Sequence, residues 1–308
     1  MTKIRYLDIQ RMSSEDYSYS AQRFSSRVAL WHVPGATTRK HRKKFQVHWL
    51  STRCINCGSC DNVCPNDALT RDESGVHIDR RLCPGLLRRV SACPTLALEC
   101  KGIDAEPEEL CRELVKDRAY FGKDGGVTLS GGEALLQDGA IELLRLLKQE
   151  GIQTAVDTCG MVFTEQLQAA LPYTDILLYD LKLMNDAEHL RWTGRSNAMI
   201  LRNLGVAALW AKGSGRLWIR TPIIPATDSV ENIRAIGNRI NAIGSAERWE
   251  LCAFNNLCTD KYKRLDIDWA FRDAPLITKQ HMDELLAVAK STNACDDIRA
   301  SGALAAED

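Results

Sequence analysis

The stretch Gly125-Gly-Val-Thr-Leu-Ser-Gly-Gly-Glu133 runs from a short apolar strand into a turn that carries two glycines and a carboxylate. Glycine lets the backbone approach a ligand closely, and the carboxylate beside it can bind a cationic amino group. Gly-Gly-Glu also occurs in ordinary turns. Its meaning therefore depends on whether other strands of this chain end in a similar way.

Short apolar strands alternate with amphipathic helices on both sides of this stretch. Strands are predicted over residues 4–9, 125–130, 153–157, 175–180, 216–220 and 249–254, and helices over 107–120, 134–149, 164–170, 197–212, 229–243 and 278–290. This alternation is typical of βα units around a parallel sheet, so we predict an α/β fold. The pattern does not separate a doubly wound sheet from an open barrel.

Polar motifs stand at the ends of three more predicted strands: Asp157-Thr-Cys-Gly160, Asp180-Leu-Lys182 and Trp218-Ile-Arg-Thr-Pro-Ile-Ile-Pro225. The carboxyl ends of strands are where α/β sheets and barrels place their chemistry. Taken singly, either aspartate could cap a helix and Arg220 could form a surface ion pair. Polar groups at four successive strand ends favour a ligand site instead.

A different chemistry is indicated by Cys54-Ile-Asn-Cys57-Gly-Ser-Cys60-Asp-Asn-Val-Cys64-Pro65. The C-x2-C-x2-C-x3-C-P spacing is that of bacterial two-cluster ferredoxins, in which three thiolates bind one [4Fe–4S] cube and the fourth binds the other. A zinc knuckle or four buried thiols would be the alternative. We expect a compact cluster module over residues 51–102.

The second half of that cysteine motif is incomplete. Cys83 and Cys93 have the spacing of its first and last cysteines, but Leu86 and Arg89 occupy the two middle positions. One complete cluster is expected on Cys54, Cys57, Cys60 and Cys93. Only Cys64 and Cys83 remain for the second cluster, which we expect to be absent or labile.

The composition limits the kinds of partner. Hydrophobic residues make up 45% of the 308 residues, and 40 basic side chains balance 40 acidic ones. This balance gives no general attraction to nucleic acid or to a membrane. No apolar run approaches the roughly 18 residues of a spanning helix, and the first residues lack a signal-peptide pattern. We expect a cytoplasmic protein whose 12 cysteines are metal ligands or buried thiols rather than disulfides.

Together these motifs resemble the glycyl-radical enzyme activating enzymes, a radical S-adenosylmethionine family. The likeness covers nearly the whole chain and rests on the adenosylmethionine signature Gly126-Val-Thr-Leu-Ser-Gly-Gly-Glu133, the opening segments Asp8-Ile-Gln-Arg11 and Ser14-Glu-Asp16, and His189, Thr193-Gly194 and Asn203. It implies a partial, open TIM-like (β/α) barrel with an inserted two-cluster ferredoxin-like module. Cys252-Ala-Phe-Asn255 departs from the Pro-Tyr-His of many relatives.

The resemblance also implies an activity. Family members use a reduced [4Fe–4S] cluster to cleave S-adenosylmethionine, and the 5′-deoxyadenosyl radical takes a hydrogen atom from a backbone glycine of a partner enzyme. By this likeness Gly131, Gly132 and Glu133 hold the methionyl amino end, and Asp157, Asp180, Lys182 and Arg220 line the ligand and the glycine loop. The implied partners are a glycyl-radical enzyme and an electron donor of flavodoxin or ferredoxin type.

The segment that should bind the catalytic cluster is missing. After Asp16 the family continues with Gly-Pro-Gly and then R-T-T-V-F-L-x-G-C-x-L-x-C-x-W-C-H-N-P-E. Its C-x3-C-x2-C triad leaves one iron open to adenosylmethionine, whereas this chain has no cysteine before Cys54. We therefore expect the chain as written to be inactive. It divides into a first barrel strand plus an aberrant segment over 1–50, the cluster module over 51–102 and the rest of the barrel over 103–308.

The codons of the aberrant segment, residues 17–50, offer an explanation. Read from the third base of each codon, the junctions Val28/Ala29, His32/Val33 and Gly35/Ala36 can each encode cysteine, spaced C-x3-C-x2-C. The following codons can encode His-Asn-Pro-Glu, and those before them R-T-T-V-F-L-A-G. We hypothesise that this segment is translated out of frame between two compensating frame changes. The basic run Arg39-Lys-His-Arg-Lys-Lys44 then needs no nucleic-acid partner.

Two other functions stay open. The chain could be a non-catalytic remnant that binds one [4Fe–4S] cluster and serves in electron transfer or partner binding. It could also be a ferredoxin-domain reductase subunit that uses no adenosylmethionine, although Gly-Gly-Glu and Asp-Leu-Lys at strand ends argue against this.

Overall fold

The computed structural model describes residues 4–6, 9–12, 46–60, 68–79, 82, 92–101, 103–122, 125–130, 133–137, 139–256, 259 and 270–306. Several residues of the sequence analysis lie outside this set: Gly131, Gly132, Cys64, Cys83 and residues 17–45 of the segment hypothesised to be out of frame.

Strands and helices alternate along the described part of the chain. The strands are β1 (Ile4–Tyr6), β2 (Ile9–Met12), β3 (Gln46–Trp49), β4 (Leu69–Asp72), β5 (Gly75–Ile78), β6 (Leu98–Lys101), β7 (Ile103–Ala105), β8 (Gly126–Leu129), β9 (Gln153–Thr158), β10 (Ile176–Asp180), β11 (Arg216–Ile223), β12 (Ala246–Ala253) and β13 (Asp297–Ser301). The helices are α1 (Pro107–Val115), α2 (Arg118–Phe121), α3 (Ala140–Gln149), α4 (Thr164–Ala170), α5 (Asp186–Thr193), α6 (Ala198–Ala211), α7 (Val230–Ile243) and α8 (Lys279–Ser291).

The main sheet has the order β13-β12-β11-β10-β9-β8-β2 among the described residues. Strands β8 to β13 are parallel to one another, and β2 pairs antiparallel with β8. A doubly wound sheet reverses its strand order at a switch point. From β8 to β13 the spatial order instead follows the chain without reversal. The predicted α/β class is confirmed.

Alternate residues of a strand point to opposite sides of the sheet, so its two faces bury different sets of side chains. One face joins the main core with the helices, through residues such as Tyr179, Ile219 and Trp249, each fully buried. On the inner face a small separate apolar cluster forms from Ala155, Ile176, Leu178 and Trp218. Burial on both faces explains why β10 reads as a continuous apolar run.

The cluster module is built from two antiparallel strand pairs, β3 with β6 and β4 with β5. Its core consists of Val47, Ala68, Leu69, Val76, Ile78 and Leu98. Strand β3 precedes the boundary expected at residue 51, yet its Val47 is 2% exposed within this core. Residues 46–50 therefore pack with the module in the structure.

Several predicted elements differ in extent from the structure, and the helix predicted over 107–120, for example, is two helices, α1 and α2. The helix predicted over 134–149 is a 3-10 turn at Ala134–Leu136, followed by extended backbone at Gln137 and then α3, which has Gly139 at its N-cap. The spacing of apolar residues did not reveal this break, because the residues on both sides of it are buried. The strand predicted over 4–9 is two strands: β1 pairs with β7, and β2 pairs with β8.

Candidate functional site

Glu133 lies just beyond β8 and is 2% exposed. Its carboxylate accepts hydrogen bonds from the Thr158 hydroxyl (2.7 Å), the Cys159 backbone amide (3.0 Å) and the Cys159 thiol (3.2 Å). Burial, together with the charge of Glu133, raises the pKa of the Cys159 thiol to about 12, so the thiol stays protonated and can donate. The end of β9 thus fixes the carboxylate that ends β8.

The loop after β9 is itself held from two sides. Gly160 has a φ of +71°, and a Cβ at this position would collide with the Tyr179 hydroxyl. The side-chain amide of Asn203, on α6, donates to the carbonyl oxygens of Gly160 (2.9 Å) and Val162 (2.8 Å). The Gly160 amide donates to the Thr158 hydroxyl (2.9 Å). Helix α6 therefore anchors the loop that positions Glu133.

Asp157, Asp180 and Arg220 meet on the inner face of β9, β10 and β11. One guanidinium nitrogen of Arg220 donates to Asp157 Oδ1 (2.5 Å) and to Asp180 Oδ1 (2.8 Å). Burial alone would lower the pKa of Arg220, but the charges of the two aspartates outweigh it and raise that pKa. The Lys182 ammonium lies 3.7 Å from Asp180 Oδ2, so two anions and two cations share this site.

The structure thus brings Asp157, Asp180, Lys182 and Arg220 together and places Glu133 at the neighbouring strand end. Neither aspartate caps a helix, because both belong to strands. Arg220 is 5% exposed and does not form a surface ion pair. Gly131 and Gly132, expected beside Glu133, are outside the described residues.

Two residues of this neighbourhood were not predicted from the sequence. Thr158 was inside the Asp157-Thr-Cys-Gly160 motif, but only its aspartate was given a role. Glu250 faces Arg220 in the register of β11 and β12 and is 6% exposed. The available signal was an acidic residue inside the apolar run Trp249-Glu-Leu-Cys-Ala253. Burial and the charge of Glu250 raise the pKa of Cys252, which lies two residues further along.

The cluster module contains a second candidate site. One cavity is lined by Cys54, Cys57, Cys60 and Cys93, together with apolar residues that include Trp49 and Leu98. No three Cys, His, Asp or Glu side chains of the described residues lie close enough to share a single metal ion. The four cysteines have this cavity in common.

Two of these thiols suit iron ligation, which requires the thiolate. Hydrogen bonding to Ser59 lowers the pKa of the exposed Cys57. Burial tends to raise the pKa of Cys93, but hydrogen bonds from Thr95 and from backbone amides outweigh it and lower that pKa. The Ala97 amide, for example, donates to Cys93 Sγ at 3.2 Å. These residues fit a cluster, whereas Cys64 and Cys83 are outside the described set.

Comparison with known proteins decides the family. A family model described as a 4Fe-4S binding domain matches residues 47–70. The chain is 34% identical over 268 residues to the isethionate sulfite-lyase activating enzyme of Oleidesulfovibrio alaskensis, covering 83% of this chain and 84% of that protein. The chain belongs to the glycyl-radical enzyme activating enzymes. It is also 35% identical over 193 residues to the pyruvate formate-lyase-activating enzyme of Clostridium pasteurianum, covering 60% of this chain and 77% of that protein.

As an activating enzyme the chain is a radical S-adenosylmethionine enzyme of the oxidoreductase class, and its cofactors are a [4Fe–4S] cluster and S-adenosylmethionine. The predicted family and cofactors are confirmed. Streptococcus suis SuiB, solved with its precursor peptide SuiA, shares the fold of this activating enzyme with a TM-score of 0.50 and 12% identity over 66% of this chain and 43% of that chain. Within the described ranges, no helix is long and apolar enough to cross a bilayer.

Proposed function

We propose that this activating enzyme binds S-adenosylmethionine at the carboxyl ends of β8 to β11 and directs it at a backbone glycine of a partner glycyl-radical enzyme. The observation that carries the proposal is the convergence of Glu133, Asp157, Asp180 and Arg220 at four neighbouring strands. The cofactors, when bound, supply reductive cleavage of the sulfonium and a 5′-deoxyadenosyl radical. The sheet is then one wall of a partial, open (β/α) barrel, because β8 to β13 follow in chain order.

The residues of the site bind and orient. Glu133 accepts the methionyl ammonium group, and its hydrogen bonds to Thr158 and Cys159 hold the carboxylate in place before the ligand arrives. The contacts between Arg220 and the two aspartates likewise fix three charged groups on one face. Charged groups that are already oriented reorganise little when a ligand binds.

In this proposal the cluster module transfers electrons. Cys54, Cys57, Cys60 and Cys93 bind one complete [4Fe–4S] cluster, and a flavodoxin- or ferredoxin-type protein supplies the electron. A second cluster on Cys64 and Cys83 is weak or absent. The cytoplasmic location and the lack of a nucleic-acid or membrane partner stay predictions.

We further infer that the chain as written is inactive, because no cysteine precedes Cys54 and the adenosylmethionine cluster has no ligands. The hypothesis that the stretch beginning near residue 17 is out of frame explains why these cysteines are missing. Strand β3 pairs with β6 and the 4Fe-4S match begins at residue 47. Both observations favour a return to the original frame before residue 46. A nucleotide sequence without the shifted cysteine motif rejects this explanation.

Anaerobic reconstitution with iron and sulfide tests the function. The purified chain is loaded, its iron is counted, and 5′-deoxyadenosine is measured after adding dithionite and S-adenosylmethionine. We expect one cluster's worth of iron and no 5′-deoxyadenosine. Iron for three clusters together with turnover would refute the inferred inactivity.

A non-catalytic remnant is the second candidate. The cavity shared by four cysteines, in a chain that lacks the catalytic triad, favours it. The two candidates differ in one respect: only an activating enzyme should regain turnover when the missing cysteines are restored.

A further inference from the structure

Trp49 belongs to the wall of the cavity that the four cysteines of the cluster module share. It is the last residue of β3 and lies opposite Leu98 of β6. Its side chain is partly buried against the core of the module and lines the cysteine cavity. The role assigned to the cysteines therefore raises the question of what this indole contributes.

The polar atom of this indole has no acceptor. Nε1 of Trp49 is buried and makes no hydrogen bond within the described part of the chain. The buried indole of Trp249, by contrast, donates to the Thr221 hydroxyl at 2.9 Å. Buried tryptophan usually places its N–H on an acceptor, and a buried donor without one costs free energy. Since indole nitrogen only donates, the group that would satisfy Trp49 is an acceptor.

Glycine on the neighbouring hairpin holds the ring of Trp49. Gly75 begins β5 with a φ of +128°, and a Cβ there would overlap the ring. The atoms that it would overlap belong to the benzene half of the indole. The hairpin of β4 and β5 thus packs directly on the ring and still provides no acceptor for Nε1.

Sulfur is the acceptor that this cavity offers. The Ala97 amide donates to Cys93 Sγ at 3.2 Å, so one N–H bond to a cysteine sulfur is present in the structure. The thiolates and sulfides of a bound cluster carry negative charge, and hydrogen bonds to charged acceptors are the stronger ones. A cluster in the cavity would therefore supply the kind of acceptor that Trp49 lacks.

We propose that the Trp49 indole donates a hydrogen bond to a sulfur of the [4Fe–4S] cluster in the module and thereby raises the reduction potential of that cluster. This inference rests on the proposed function, which places the cluster on Cys54, Cys57, Cys60 and Cys93. The electron-donor protein gives the cluster one electron and no proton is transferred. The added electron makes the sulfurs more negative, so the hydrogen bond favours the reduced state. Hydrogen bonds to the sulfurs are among the factors that set the potential of such clusters.

A redox titration of the reconstituted full-length chain, followed by the EPR signal of the reduced cluster, tests the proposal. Trp49→Phe keeps an aromatic ring and removes the N–H. At a fixed solution potential the ratio of reduced to oxidised cluster should fall about tenfold, which is about 59 mV for a one-electron couple.

The matched control is Trp210→Phe on α6. Trp210 is also partly buried and also packs on a glycine, Gly215, but it belongs to the main core rather than to the module. This variant should keep the native potential.

Two further measurements separate the hydrogen bond from packing. Replacing Trp49 by benzothienylalanine, in which sulfur stands in place of the indole N–H, keeps the shape and should lower the potential as Trp49→Phe does. With ¹⁵N in the indole of every tryptophan, pulsed EPR of the reduced native cluster should show a ¹⁵N coupling. That coupling should be lost in Trp49→Phe and kept in Trp210→Phe.

The proposal is overturned by a native potential in the benzothienylalanine variant, because a fall in Trp49→Phe alone would then reflect packing. It is also overturned if the labelled native chain shows no ¹⁵N coupling, a result that needs no variant. Iron content separates this inference from the proposed function. If the native chain holds about four irons and either result is found, only the role of Trp49 fails. If the native chain binds no iron, the proposed cluster fails as well.

Discussion

Burial changes what an ion pair contributes at the scale of single residues. Arg220, Asp157 and Asp180 are each less than 10% exposed, so removing them from water cancels much of their mutual attraction. Removing only one partner is a different matter, because the others then remain buried and uncompensated. Half-exposed pairs such as Arg216 and Glu247 are screened by water and contribute little.

Arg220→Met should therefore lower the free energy of unfolding by about 3–5 kcal/mol. Arg216→Met, the same substitution on the same strand, should lower it by about 1 kcal/mol or less. Urea unfolding of both variants measures the difference. Equal losses would mean that the Arg220 contacts are as weakly coupled as a surface pair.

Thiol reactivity should follow the opposite pKa shifts of two cysteines. The pKa of Cys57 is lowered and its side chain is exposed, whereas burial raises the pKa of Cys159 to about 12. Only the thiolate reacts with iodoacetamide. At pH 8 the iron-free native protein should therefore be labelled at least about 100-fold faster at Cys57.

Peptide mapping by mass spectrometry measures both rates. In urea the two rates should converge, which is the control for intrinsic reactivity. Comparable rates in the native protein would contradict the contact between Cys159 and Glu133.

At the scale of elements, the loop between β9 and α4 connects the fold to the site. Its Thr158 and Cys159 bind Glu133, and its carbonyl oxygens are held by Asn203 of α6. Through this loop, helix α6 thus fixes the position of the carboxylate that follows β8. Changes in this loop should affect ligand binding as well as stability.

Gly160→Ala should cost about 3 kcal/mol or more, because it combines a left-handed φ with a collision against Tyr179. Gly151 is the matched control, since its φ is +69° and a Cβ there would meet nothing within 4 Å. Gly151→Ala should cost only the backbone strain, about 1 kcal/mol. Equilibrium unfolding checks both values, and similar costs would show that the Tyr179 contact does not constrain the loop.

Asn203→Ala should weaken S-adenosylhomocysteine binding by about tenfold, because the freed loop no longer holds Glu133 in one position. Asn241 is a suitable control: it also donates to two carbonyl oxygens, those of Thr292 and Asn293, both at 2.9 Å. Both alanine variants should lose about 1–3 kcal/mol of stability. Only the first should change the dissociation constant measured by calorimetry, and equal affinities would remove Asn203 from the site.

At the scale of the whole molecule, two units carry two chemistries. The parallel sheet collects charged side chains on its inner face, and the module built from β3 to β6 collects four cysteines around one cavity. Each unit has its own core. The segment hypothesised to be out of frame lies between β2 and β3 in the chain. Members of the family have the C-x3-C-x2-C cysteines of the adenosylmethionine cluster in this segment.

Restoring the shifted frame over residues 17–45 should therefore convert the chain into an active enzyme. Relative to the chain as written, reconstituted protein should gain about four irons per chain and form 5′-deoxyadenosine with dithionite. Replacing the three restored cysteines by serine is the control and should remove both gains. A restored chain that binds the extra iron but produces no 5′-deoxyadenosine would favour the non-catalytic remnant.

The sequence was most informative where chemistry needs fixed spacing. The cysteine run from Cys54 and the turn ending at Glu133 are each a motif of at most about a dozen residues. Such local motifs can be recognised from the sequence, so they indicated the cluster, the family and S-adenosylmethionine before any contact was known. Element positions followed from apolar periodicity for the same local reason. The break in the predicted helix between Leu136 and Ala140 was not predicted, because apolar periodicity indicates burial rather than backbone direction.

What the sequence alone determined is the α/β class, the family and the residue types at the strand ends. Only the tertiary structure decided the partners of the charged groups: Arg220 contacts two aspartates, and Glu133 accepts from Thr158 and Cys159. The physical reason is that strand register and side-chain direction join residues 25 to 63 positions apart. Such distant contacts leave no local pattern in the sequence.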